Sequence, residues 1–432
     1  MAAPFNKNEA TLNQKKKYEV AQIFRRYGPL YRKTRALPTR TIGIMQSIEQ
    51  CRTAWMGYHR ISCLTCPYHR REYNSCRNRH CPKCQSINKA EWLEKRKSEL
   101  LPVGYLHKVF TLPHELNQLI LRNKELLLEY LFKAVSETLK QFTKDPKWRM
   151  GGSLGYTAVL HTWDQKMNSH IHLHLVVAAG SFLKKEKKWV PAAKKRKRKT
   201  GLREDYMFSA HALSEVFQGK YLDLLKKAYD QGKLELKGKV WGLNDPAEFK
   251  RLLNTLYSKN WVVYAKKPFK GVEHVYDYLG RYTHRVAISN NRITSVKDGK
   301  VSFNWKDRSN GYETKSETLD AQTFIQRFML HELPPRFMRI RQYGFLSNRY
   351  KKENLTTIRE LLNVPQLELV KEKSGDKILS EQAGVDHRRC PDCKKGKLIT
   401  TLELNRSDVR AIFKKHQTVT RNTEQKIQLS SA

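Results

Sequence analysis

The chain has 432 residues, 39% of them hydrophobic and 10% aromatic, enough to bury two to four separate cores. Its 83 Lys and Arg against 41 Asp and Glu leave a formal charge of +42, spread along the chain, which points to a polyanion because each phosphate neutralised releases counterions. No apolar run reaches the length of a bilayer span, no long basic amphipathic helix stands out, and the first residues lack the pattern of a signal peptide, so DNA without a membrane partner and a cytoplasmic location are expected.

The first fifty residues read as basic and helical, with Tyr18, Ile23, Phe24 and Tyr27 as an apolar stripe and a second helix from about Thr41 to Cys51. Six of the eight cysteines then fall between Cys51 and Cys84. Clustering of this kind in a cytosolic protein argues for metal and against disulfides. Cys63-x-x-Cys66 and Cys81-x-x-Cys84, separated by fourteen residues, predict one four-cysteine structural zinc site. Cys51, Cys76, His80, His59 and His69 remain for a second ion, or Cys76 and His80 replace one of the first four. Arg70, Arg71, Arg77, Arg79 and Lys83 around them suit a surface that touches DNA.

A charged helix with Trp92 is expected over Asn88–Leu100, a strand over Leu106–Leu112, and a helical stretch from Pro113 to about Phe142. Leu154–His161 and His170–Ala178 read as neighbouring strands joined by a hairpin-sized linker, Thr162–Ser169. Lys184–Lys199 is a poor candidate for ordered structure, and its block Lys194, Lys195, Arg196, Lys197, Arg198, Lys199 suits an exposed loop that contacts phosphates. Helices follow at His211–Tyr229 and Pro246–Tyr257, a strand at Trp261–Ala265, a helix at Val272–Tyr282, short strands at Val286–Ser289 and Val301–Trp305, and a helix at Ala321–His331. There is no internal repeat. This order fits an α+β chain: a zinc-ribbon-like N-terminal domain, then an antiparallel sheet covered by helices on one face.

Two motifs carry the chemistry. In His170-Ile171-His172-Leu173-His174 alternate side chains share one face of a strand, so three imidazoles point the same way ahead of an apolar run. Imidazoles with oxygen ligands hold a divalent cation that polarises a phosphate oxygen. In Tyr278-Leu279-Gly280-Arg281-Tyr282 the tyrosines are four apart, on one face of a helix. A tyrosine hydroxyl can attack phosphorus and form a covalent intermediate. Together they suggest cutting and rejoining of single-stranded DNA. Taken separately, the histidines also read as a wet strand face and the tyrosines as packing.

These motifs, in order, resemble one family. Asn74-Ser75-Cys76-Arg77-Asn78-Arg79-His80-Cys81-Pro82-Lys83-Cys84-Gln85, Val109-Phe110-Thr111-Leu112-Pro113-His114, Leu160-His161-Thr162-Trp163, the histidine triplet, the run from Tyr278 to Ser289, and Arg339-Ile340-Arg341-Gln342-Tyr343-Gly344 are similar to transposases of rolling-circle insertion sequences, the insertion sequence ninety-one family. The likeness spans residues 40 to 400. It implies an HUH nuclease domain (histidine, bulky apolar residue, histidine) of the two-tyrosine type, which nicks one DNA strand and stays joined to its 5′ phosphate through tyrosine. It maps the catalytic metal pair onto His172 and His174, with His170 as an extra. This chain has Ile171 where the family tends to have proline, and Ala179-Gly180 where it tends to have a glycine pair. Gln165 is the first candidate for a third ligand and His161 the second, for Mg2+ or Mn2+. Arg281 and Arg285 would hold phosphates. The pair Cys390 and Cys393 is half a zinc site, to be completed by His387 and His416. Expected domains are a basic helical segment 1–50, a zinc-binding domain 51–100, an HUH domain 101–345, and a basic C-terminal region 346–432. Replication initiators and relaxases share the site chemistry, and a non-catalytic zinc-ribbon DNA-binding protein would need no tyrosine.

Overall fold

The computed structural model describes residues 18–97, 99–196, 203–265, 269, 274–275, 280, 286–307, 310–366, 378, 386 and 388–412. In chain order the helices are α1 (Val20–Lys33), α2 (Thr39–Gln50), α3 (Gln85–Lys97), α4 (Asn117–Arg122), α5 (Lys124–Lys144), α6 (Ala210–Asp230), α7 (Pro246–Tyr257), α8 (Ala321–Leu330) and α9 (Lys351–Leu361). The strands are β1 (Tyr58–Cys63), β2 (His69–Tyr73), β3 (Tyr105–Thr111), β4 (Ser153–Trp163), β5 (Ser169–Leu183), β6 (Lys188–Pro191), β7 (Ala193–Arg196), β8 (Arg203–Tyr206), β9 (Val263–Ala265), β10 (Ile293–Lys297), β11 (Lys300–Asp307), β12 (Glu313–Asp320), β13 (Ile340–Tyr343) and β14 (Leu398–Leu404). Among the described residues no helix is long and apolar enough to cross a membrane.

The chain divides into two compact units, both discontinuous: Met1–Gln85 with Ile288–Met329 and Val385–Ala432, and Ser86–Ala287 with Leu330–Gly384. The expected boundaries ran consecutively along the chain, so residues 288–329 and the C-terminal cysteines fall in a different unit from the one their position suggested.

In the first unit, α1 and α2 form a helical pair whose apolar residues Val20, Ile23, Phe24, Met45 and Ile48 are buried. Phe24 meets Phe328 of α8 edge-on at 5.3 Å, and Phe324 of the same helix meets Phe303 of β11. β10, β11 and β12 form one antiparallel sheet, and β14, β1 and β2 another in that order. Val286–Ser289, expected as a strand, is not one: Asn290–Arg292 forms a short 3-10 turn there, and the Asn290 side chain accepts the backbone N–H of Val20.

The second unit is built on an antiparallel sheet in the order β13-β4-β5-β3-β9, with β6 paired to the end of β5. Every residue of β5 from Ile171 to Phe182 is buried, and its two faces differ. Ile171, Leu173, Leu175, Val177 and Ala179 enter a core with Leu127, Leu131 and Val135 of α5 and Phe217, Tyr221 and Leu225 of α6. Each such large side chain contributes roughly 1.5–3 kcal/mol on burial. The other face is covered too, contrary to the one-sided expectation: Val176, Ala178 and Phe182 pack with Leu93 of α3, Val275, Phe345, and Leu355 and Ile358 of α9. That second cluster occupies the C-terminal half of β5. The histidines occupy the N-terminal half of the same face.

Lys184–Lys199, expected to lack structure, contains β6 and β7. Trp189 explains the first: it packs on Phe345, and a side-chain carbon at Gly180 would lie 2.2 Å from its ring, so glycine at 180 makes room for it. Lys194, Lys195 and Arg196 belong to β7, which pairs with β8. Lys197, Arg198 and Lys199 lie outside the described residues.

Candidate functional site

Register alone assembles the imidazoles. In the β4–β5 ladder His161 stands opposite His172 and Val159 opposite His174. In the β3–β5 ladder Val109 stands opposite His174 and His107 opposite Val176. Directly opposed residues share a face, so His107, His161, His172 and His174 all project from the same side of the sheet. His161, His172 and His174 each offer a ring nitrogen, and these nitrogens lie within 4.8 Å of one another. All three side chains are buried, at 4–8% exposure, where an uncompensated polar ring is costly.

Their second nitrogens are fixed. His172 Nδ1 donates to the carbonyl oxygen of His170 at 3.0 Å, and His174 Nδ1 lies 3.0 Å from His107 Nε2. The Nε2 atoms of His172 and His174 then face each other at 3.1 Å. The carbonyl contact places the His172 proton on Nδ1; in the tautomer where His174 Nδ1 donates to His107 Nε2, two Nε2 lone pairs converge on one point. Two nitrogens each ~2.1 Å from one ion at a right angle would be about 3 Å apart. The donor set therefore fits a divalent cation. His161 is held by a parallel stack on Trp163 at 4.9 Å.

His170 is exposed and does not join this group. Its ring stands beside that of His172 at 4.7 Å, and its backbone orients His172. Gln165 lies in the 164–168 turn between β4 and β5, whereas His161 lies within the strand beside the pair. His107 was missed in the sequence reading. Its signal was parity: once β3 pairs with β5, residue 107 shares the histidine face. On the opposite face of β3, Lys108 is buried with its ammonium donating to Met207 O at 2.8 Å, and burial pulls its pKa down to about 8. His331 is also buried, its Nε2 donating to Met167 O, and burial pulls its pKa down to about 4.

Tyr278, Tyr282, Arg281 and Arg285 lie outside the described residues. Their neighbours do not. Val275 is buried with Val176 and Ala178, on the histidine face of β5. Gly280 abuts α3, where an added side-chain carbon would come 2.9 Å from Leu93.

The cysteines form two groups, and neither is the expected one. Cys51, Cys76, Cys81 and Cys84 converge in one, and Cys63, Cys66, Cys390 and Cys393 in the other. The single site of Cys63, Cys66, Cys81 and Cys84 is therefore corrected. The β1–β2 hairpin is the reason. Cys63 and Cys66 sit at its turn, whereas Cys51 and Cys76 flank its open end. The five steps along β1 separate the two ends by roughly 16 Å, far beyond the reach of one ion. His80 joins neither group; Cys390 and Cys393 are joined by Cys63 and Cys66, and His387 and His416, the expected partners, lie outside the described residues. In the first group the Sγ atoms of Cys51 and Cys76 lie 3.3 and 3.5 Å from that of Cys84. Four thiolates at this spacing are a donor set for structural zinc.

The comparisons with known proteins agree. Residues 155–354 match a family described as "Putative transposase", and residues 23–112 match one described as "Transposase zinc-binding domain". The chain is 43% identical over 387 residues to "Putative transposase y4qJ" of Sinorhizobium fredii, covering 88% of this chain and 94% of that one. It is 27% identical over 319 residues to "Transposase for insertion sequence element IS801" of Pseudomonas savastanoi pv. phaseolicola, covering 73% of this chain and 72% of that one. No solved structure matches. With zinc-binding cysteines in one unit and a histidine-lined sheet in the other, the chain belongs to the IS91 family of insertion-sequence transposases.

Proposed function

We propose that this transposase cleaves and rejoins single-stranded DNA at the ends of its element, through a covalent 5′-phosphotyrosine formed by Tyr278 or Tyr282. The observation that carries this reading is the convergence of His161, His172 and His174 on the face of β5 against which Val275 packs, three residues before Tyr278. A chain that only bound DNA would have no use for three buried imidazoles aimed at one point.

In this reading His172 and His174 hold Mg2+ or Mn2+ through Nε2, and His161 supplies the third ligand in place of Gln165. When bound, the ion polarises a non-bridging oxygen of the scissile phosphate. The tyrosine oxygen attacks phosphorus, the 3′ oxygen leaves, and the 5′ phosphate stays on the protein. A phenol with a pKa near ~10 is mostly protonated at neutral pH, so a nearby base or water must take its proton. The second tyrosine, four residues away, serves strand transfer. Arg281 and Arg285 pair with phosphates, and the net charge of +42 supplies salt-sensitive affinity along the strand.

The test is incubation with oligonucleotides spanning the element's ends, with Mg2+ or Mn2+, followed by denaturing electrophoresis. A DNA adduct whose nucleotide maps to Tyr278 or Tyr282 is expected. The Tyr278→Phe, Tyr282→Phe double variant should form none, and His172→Ala with His174→Ala should bind DNA without nicking it. An adduct on another residue, or activity in the double tyrosine variant, overturns the mechanism.

A further inference from the structure

The second cysteine group lies half outside the stretch that matches the zinc-binding family, since that match ends at residue 112. Cys63 and Cys66 come from the turn of the β1–β2 hairpin, and Cys390 and Cys393 come from more than three hundred residues further on. We propose that these four thiolates bind a second structural zinc ion, which fastens the C-terminal segment 388–404 to the N-terminal hairpin.

Spacing is the first argument. Cys63 and Cys393 have their Sγ atoms 3.8 Å apart, and Cys66 and Cys390 3.7 Å apart. Four sulfurs each ~2.3 Å from one ion in a tetrahedron are ~3.8 Å apart along every edge. Disulfide sulfurs would be at ~2.05 Å, and all eight cysteines are free.

The backbone supplies the second argument. The N–H of Thr65 donates to Cys63 Sγ at 3.3 Å, and that of Gly396 to Cys393 Sγ at 3.2 Å. Each knuckle thus turns one N–H onto a sulfur that must carry negative charge to bind metal.

Steric fit is the third argument. A side-chain carbon at Gly396 would lie 2.3 Å from Cys63 Sγ and 2.6 Å from the Thr65 hydroxyl. The C-terminal knuckle therefore approaches the N-terminal one as closely as only glycine permits. Leu64 N–H bonds Lys397 O at 3.0 Å, and β14 continues as the partner of β1 from Leu398 opposite Cys63 to Leu404 opposite Tyr58. Backbone pairing and sulfur geometry point to the same closure. The zinc-binding module is then not complete in residues 23–112. It needs the last tenth of the chain.

The experiment is metal counting on untagged full-length protein purified under reducing conditions, by mass spectrometry of bound zinc and by the thiolate-to-metal absorption of the cobalt-exchanged protein. The histidine site has no thiolate and adds nothing to that absorption. Two thiolate-bound ions per chain are expected. Cys390→Ser with Cys393→Ser should lower the count to one, and Cys393→His should restore it to two. One ion in the wild type, or two in the double serine variant, overturns the proposal. Should the serine variant fail to fold, thiol alkylation of the wild type decides the matter. Cys63, Cys66, Cys390 and Cys393 should be protected together and become reactive together as chelator is added. Reactivity of Cys390 and Cys393 in untreated protein refutes the site.

Discussion

Replacing His107 should weaken divalent-cation binding without removing a ligand. His174 can offer Nε2 to a cation only if its proton sits on Nδ1, and the group 3.0 Å from that Nδ1 is His107 Nε2. Both rings are buried and lie nearly parallel, 14° apart. Substituting phenylalanine keeps the ring and its contact with Phe269 while removing the acceptor. The loss can be sized in two ways. Leaving a buried polar atom without its partner costs about 1–3 kcal/mol. Outer-shell partners of metal-binding histidines are worth ~10–100-fold in affinity, about 1.4–2.7 kcal/mol. The two ranges overlap, so His107→Phe should weaken Mn2+ binding about tenfold to a hundredfold, with His107→Gln recovering part of it. Free Mn2+ can be followed by electron paramagnetic resonance during a titration, with circular dichroism confirming the fold. Wild-type affinity in His107→Phe would refute the role. So would a loss as complete as that of His174→Ala, which would make His107 a ligand itself.

Other outcomes follow from the same geometry. Cys81→Ser should release zinc from the Cys51 group and lower the thermal stability of the first unit, because metal binding supplies folding free energy in such modules; an unchanged melting curve and zinc content would contradict it. DNA binding should weaken steeply between ~50 and ~200 mM salt, as phosphate contacts require, and a flat response would contradict the polyanion reading. Lys108 releases its proton near pH 8 when folded and near 10.5 when unfolded, so the unfolded chain binds more protons between those values and stability rises with pH across that window. Relative to Lys108→Met, the wild type should gain up to about 3 kcal/mol from pH 8 to 10.5 in denaturant titrations; a constant difference would show that the amine is not desolvated.

How far the sequence could be read depended on the distance over which each feature is specified. The faces of β5 were legible because a strand has a period of two: His170, His172 and His174 against Ile171, Leu173 and Leu175 can be sorted from adjacent residues. His161 needed one step more, the hairpin register, and His107 needed the pairing of β3 with β5 across more than sixty residues. The cysteines failed for the same reason. Spacing suggested that the two N-terminal knuckles pair, but their true partners are set by which end of the β1–β2 hairpin each occupies, and one pair of partners lies at Cys390 and Cys393. Composition misled at Lys184–Pro191, where four lysines outnumber Trp189 and Val190, but Trp189 anchors the strand by packing on Phe345 over Gly180 while β6 pairs with β5.

The division of labour along β5 bears on why a metal site should be placed there. A cation-binding pair must hold its geometry to within a fraction of an ångström if binding is not to be weakened by reorganisation. Loops provide this poorly. In β5, His172 and His174 are flanked by Ile171, Leu173 and Leu175, whose side chains lock the opposite face into the α5–α6 core, and ladders to β3 and β4 fix the backbone on both sides. Moving either imidazole would require breaking a central strand. The same residues that make the strand hard to deform therefore make the imidazole pair rigid, and Val176 and Ala178, continuing the histidine face, form the bed on which Val275 rests. On this arrangement the imidazoles belong to a strand paired on both sides.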